Sequence, residues 1–406
     1  MRGRHPILLI LLMLVSLVLA GCIGSDDALD ENQADLPDAL EAKTPDWART
    51  LPETITGLDH VTTTEELESG YQLWVEGNIA YVAAWGAGFY TVDISDPEHP
   101  EMLAHIGEHF GHDVDLLHYE DGTTYAALAG SGDGIAIINV TDPRAPEIVS
   151  TILGQSGTTD LEGANVHNLR VVPGTHLIYN SRSVDTPGAD IVDASDPANP
   201  ELVQVFGDTT CHDVDFWMEG ERAYCAGIRE TQIWDITDPA APSIVTRIHN
   251  PAISIHHWAK PAHDGDLLII GDEFLGATGP FANGCQAGVE NPVTGGTTTD
   301  TIGALWFYDI RDEATPVPIS HLAASELHAA PEACTAHFGQ FVGERDQLII
   351  GFLAGGLYLV DFQDVTAPRV VDHLPVGGVP DVAYHHGLAF SVGRDRGMDV
   401  ISFLGE

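Results

Sequence analysis

His-Asp-Val-Asp occurs twice in this chain, at residues 112–115 and 212–215, each time opening an apolar, strand-like run. Three further histidines, His167, His257 and His337, occupy the matching place when each segment is counted back from the strand pair that follows it. A neutral imidazole is a good ligand for zinc, copper or iron, and three or four suffice to hold one ion. The same five side chains could instead hydrogen-bond strand backbone, or the adjacent Asp113 and Asp213. Other polar residues fall in nearby loops: Asp133, Arg182, Arg229, Asp272, Glu273 and Arg394. The arginines could grip a carboxylate or phosphate through their planar forks, or pair with the chain's own acids. Asp272 and Glu273 could supply an extra ligand or a general base beside a metal-bound water, or be solvated loop acids. No nucleophile elbow, P-loop, CxxC or dinucleotide fingerprint is present.

Whether His112, His167, His212, His257 and His337 meet depends on the elements that carry them, and the chain repeats. FYTVDISDPEHPEML (89–103) recurs as IAIINVTDPRAPEIV (135–149), ADIVDASDPANPELV (189–203) and TQIWDITDPAAPSIV (231–245). Weaker copies begin at 305 and 357, and a seventh, MDVISFLGE, ends the chain. In each, a β-branched apolar run predicts a buried strand, and Asp-Pro predicts a turn. The alternating text after the turn predicts a half-exposed strand. A hairpin precedes each copy, as in YQLWVEGNIAYVAAW (71–85). Four strands per unit with no helical pattern between them predict an all-β, seven-bladed β-propeller. The final unit supplies only three strands, so the segment PETITGL (52–58) is expected to close the ring by pairing with it.

These copies resemble the LVIVD repeat of bacterial and archaeal surface β-propellers, over roughly residues 50–406. The resemblance implies fold and location but assigns no activity and no catalytic residue. In such a ring the innermost strand of each blade lines the central channel, so the five histidines would stand at one depth near the channel mouth. Unit one offers Ser69 at that place and unit seven Val379.

The N-terminus bounds the setting. Two arginines precede an apolar run from Ile7 to Ala20, too short for a membrane span, which makes residues 1–21 a secretory signal. Leu-Ala-Gly-Cys resembles a lipobox, which implies lipidation of Cys22. Residues 22–50 read as an acidic tether and 51–406 as the propeller, with a lid-like insertion at 274–303. With 16 basic against 61 acidic residues, the surface disfavours nucleic acid and anionic headgroups and resembles those of halophilic or marine proteins. Beyond Cys22, four cysteines remain, an even number that in an exported chain suggests two disulfides. Cys285 and Cys334 fall on one face of adjacent blades and are expected to pair, leaving Cys211 with Cys225.

The sequence therefore predicts an exported, lipid-anchored, monomeric propeller. Its channel-mouth face would bind a small ligand or a surface protein, through one zinc, copper or iron ion on the histidines and with Arg182, Arg229 and Arg394 alongside. A metal-dependent oxidase or hydrolase assisted by Asp272 or Glu273 is one alternative, and a structural envelope scaffold is another.

Overall fold

Two side chains three residues apart shape the turns of the first six repeats, both aspartates except in the second, where Asn139 stands with Asp142. In the first copy the Asp93 carboxylate accepts the Ser95 amide at 2.8 Å, and Asp96 accepts the Glu98 amide at 3.2 Å. The fifth and sixth copies lack Asp-Pro yet turn alike, because Asp309 with Asp312 and Asp361 with Asp364 make the same bonds to amides two residues on. The carboxylate sets the turn and proline is dispensable to it.

The computed structural model describes residues 44–130, 134–152, 166–182, 187–262, 265–273, 301–323, 335–353 and 355–406. All belong to the second of two compact units, Ala42–Glu406. The signal segment, Cys22, Asp133, most of the lid-like insertion with Cys285, and Cys334 lie outside the described residues. Among the described residues no helix is long and apolar enough to cross a membrane.

The strands form seven four-stranded antiparallel sheets. The innermost strands of blades 1 to 7 are Gly70–Glu76, Asp113–His118, Leu169–Val171, Asp213–Trp217, His256–Ala262, Ala336–Phe341 and Asp381–His385. Burial follows position within a blade: the third strand Gly134–Asn139 is buried almost throughout, whereas the outer strand Glu201–Phe206 alternates exposed with half-buried. Apolar side chains interlock between neighbouring blades, as Tyr81 and Phe89 of blade 1 do with Leu116 and Leu128 of blade 2. Each such burial contributes roughly 1.5–3 kcal/mol. The last blade is completed as expected, by strand Ile55–Thr64 pairing antiparallel with Gly397–Gly405. That strand runs six residues beyond the expected segment, so the two ends of the chain are laced over its whole length. Residues ahead of 50 also touch the propeller: Trp47 donates to the Asn78 side chain at 2.7 Å and packs on the ring of Phe390.

Cys211 and Cys225 form a disulfide across the first two strands of blade 4, with Cα atoms 5.6 Å apart. The aspartates of the two His-Asp-Val-Asp segments sew blades together. Asp113 and Asp115 accept the Leu169 and Val171 amides of blade 3 at 2.9 and 2.8 Å. Asp213 accepts from the Asn168 side chain at 3.2 Å, and Asp215 pairs with Lys260 of blade 5 at 2.5 Å.

Candidate metal centre

With the aspartates turned between blades, the histidines are left to face the channel. The amides of His112, His167 and His212 each bond a carbonyl of their blade's second strand or its end, at 2.8, 3.0 and 2.7 Å, which fixes them just ahead of the innermost strand. His257 and His337 sit one residue inside theirs, where the pairing register shifts between His256 and Trp258 and between Ala336 and Gly339. A bulge leaves its extra residue unpaired and re-aims the side chain.

The five imidazoles do meet. Centroid separations between successive rings are 3.9 Å for His112–His167, 4.2 Å for His167–His212, 4.5 Å for His212–His257 and 4.5 Å for His257–His337. Tyr71 closes the circle, 5.7 Å from His337 and 4.7 Å from His112. The expected contributor from blade 1, Ser69, is not the one used. A register shift between Gly70 and Gln72 turns Tyr71 inward instead, and only counting that bulge would have found it. Blade 7 adds the buried, apolar Val379 at its place and no ring member.

Glu273 reaches the circle from the end of the second strand of blade 5. Its Oε2 lies 3.4 Å from His257 Nε2 and 3.9 Å from His212 Nε2. Donor atoms of His212, His257 and Glu273 all fall within 4.8 Å of one another. Ligands 2.0–2.1 Å from a tetrahedral zinc stand about 3.3 Å apart, so the His257–Glu273 edge already has the right length. Two imidazole nitrogens and a carboxylate suit zinc, copper or iron better than magnesium or calcium.

Burial sets the charge state. It pushes His112, His212 and His257 well below the usual histidine range, His167 down to about 4 and His337 down to about 3, with neighbouring histidines adding to the shift for all but His167. The rings are therefore neutral at physiological pH, each with a lone pair. His167 Nδ1 faces Asn168 Oδ1 at 2.9 Å and His337 Nδ1 faces the Pro380 carbonyl, which leaves Nε2 of both as the acceptor. Both nitrogens of His112, and Nδ1 of His212 and His257, are buried without a hydrogen-bond partner among the described residues. Such orphans cost about 1–3 kcal/mol each unless something binds them. Burial also pushes the Glu273 carboxyl up to about 8, with the charge of Asp272 as a lesser cause.

The remaining predicted site residues divide. Asp272 is not available as a base: its two oxygens accept the Ser254, Ile255 and Gly303 amides at 2.8, 3.0 and 2.9 Å. It clamps the loops that deliver Glu273. Arg182 is ion-paired within its own blade, to Asp190 at 3.0 Å. Arg229 stands exposed in a loop of blade 4. Arg394 lies at the channel mouth, its guanidinium 4.7 Å from the Tyr71 ring and 4.3 Å from that of Trp85.

The LVIVD repeat family matches residues 70–106 and 185–208, that is, blade 1 and the outer half of blade 3. No curated protein sequence matches the chain. Among solved structures, the β-propeller domain of Cps50 (Swd1) from Myceliophteria thermophila superposes with a TM-score of 0.58 at 10% identity, covering 85% of this chain and 98% of that one. A 6-phosphogluconolactonase candidate from Bacteroides fragilis gives 0.55 at 11% identity, covering 78% and 87%. Another from Bacteroides uniformis gives 0.55 at 11%, covering 76% and 85%. At such identities the likeness speaks for the fold alone.

Proposed function

We propose that this chain, a seven-bladed propeller with LVIVD repeat matches in blades 1 and 3, is an exported, lipid-anchored surface protein that binds one transition-metal ion on its channel axis and presents it to a ligand at the mouth. Export and anchoring are supported by the signal-like N-terminus ending at Cys22, and by the Cys211–Cys225 disulfide, which suits an oxidising compartment. The observation that carries the metal reading is the convergence of His212, His257 and Glu273 inside a closed circle of neutral imidazoles. A zinc, copper or iron ion held there would act as a Lewis acid or redox centre for what enters. The protein's own residues exclude bulk water, fix the rings through bonds such as His167 to Asn168, and hold Glu273 in place through the Asp272 clamp. A metal-dependent oxidase or hydrolase would use the same centre, with Glu273 as a ligand that gives up its proton when the ion binds.

Elemental analysis of purified full-length protein tests this reading. It predicts near-stoichiometric zinc, copper or iron, lost in the His212→Ala, His257→Ala double variant while the far-ultraviolet spectrum is unchanged. A metal-free wild type that takes up none of these ions on titration would refute it, as would a double variant that keeps its metal.

A further inference from the structure

Arginines in this molecule seldom lack a carboxylate, since 61 acidic residues surround 16 basic ones. Arg49, Arg222, Arg247 and Arg369 are all ion-paired, and Arg396, two residues beyond Arg394, is held by Asp399. Arg394 makes no ion pair with the described residues, and its Nε is buried without a hydrogen-bond partner. It is held by stacking on Tyr71 and Trp85 and by a hydrogen bond with the Tyr71 side chain. Trp85 is 37% exposed and forms the outer wall of the mouth, 5.0 Å from Phe110 and 5.1 Å from His112. The turn that presents it requires glycine. Gly86 and Gly88 have φ of +69° and +98°, and a Cβ on Gly88 would lie 1.9 Å from the Ile106 carbonyl oxygen.

We propose that Arg394 is the carboxylate-binding arm of the channel mouth, and that the ligand class is a small organic carboxylate with an apolar body. With one donor engaged by Tyr71, the planar guanidinium still has N–H groups to donate to a carboxylate. Tyr71, Trp85 and Phe110 offer the apolar flank for the rest of the molecule. A phosphate dianion suits the site less, because a single cation would have to offset two charges on a strongly acidic molecule. Tyr71 contacts both His112 and His337, so a ligand gripped by Arg394 has its other end over the histidine circle. That this end meets a metal rests on the function proposed above; the grip itself does not.

Calorimetric titration with benzoate, benzamide and inorganic phosphate, on chelator-treated and zinc-loaded full-length protein, tests the assignment. Saturable benzoate binding is expected in the chelated form, with benzamide and phosphate weaker. Arg394→Gln should weaken benzoate at least about tenfold, and Arg394→Lys should also lose affinity because the planar fork is gone. Trp85→Leu, which keeps the charge and removes the stacking wall, should weaken it too and guards against misfolding of the arginine variants. Wild-type affinity in Arg394→Gln, stronger binding of phosphate, or no saturable benzoate binding would each overturn the proposal. Zinc content measured on the same samples separates the two readings. Benzoate binding to protein that takes up no zinc leaves the anion arm standing and removes the metal, and zinc uptake without benzoate binding does the reverse.

Discussion

Asp272 and Glu273 are adjacent acids with opposite fates, because successive side chains of a strand leave on opposite faces. Asp272 turns into the loops and spends both oxygens on three backbone amides. Glu273 turns to the channel and spends its carboxylate on His257 and His212. Substituting each should separate structure from function. Asp272→Asn keeps one acceptor oxygen and sets an NH2 against an amide, so it should cost about 1–3 kcal/mol of stability in a denaturant titration. Glu273→Gln removes a carboxyl that could ionise onto the metal and should leave stability nearly unchanged while weakening zinc binding at least about tenfold in a competition titration. Equal zinc affinity in Glu273→Gln would exclude the carboxylate from the centre.

The element that matters most is the innermost strand, which serves the channel with one residue and the next blade with another. Asp115 is such a clamp, bonding the Val171 amide of blade 3 at 2.8 Å. Burial pushes its carboxyl up to about 7, although Arg170 and the amides pull the other way. A folded-state value above the unfolded value of about 3.9 means that the group's stabilising contribution is complete below about pH 4 and is lost as the pH rises through about 7. Asp115→Asn does not titrate. Its deficit should be about 1–3 kcal/mol at pH 5 and should narrow by pH 8, measured by urea unfolding at both values. A deficit that widens with pH would show that Asp115 works as a charged partner of Arg170 rather than as a clamp.

At the scale of the whole molecule, closing the ring puts residues as distant as Tyr71 and His337 on one axis. Much of this was legible in the sequence. The Asp-Pro turns mark the first four blades, a three-strand last unit asks for a strand from elsewhere, and the five histidines hold one register. Three things were not legible. Tyr71 arrives through a bulge, which shifts the count by one. Asp272 finds its amides at Ser254, Ile255 and Gly303, and only the folded loops bring these together. Arg182 reads like Arg394 until Asp190 is seen beside it. A surface with so many acids will also collect metal ions loosely, so stoichiometry alone is a weaker test than position. Anomalous diffraction at the zinc edge, on crystals of the full chain grown with zinc, gives position directly. The strongest peak should lie between His212, His257 and Glu273; peaks confined to surface carboxylates, with none inside the histidine circle, would contradict the account.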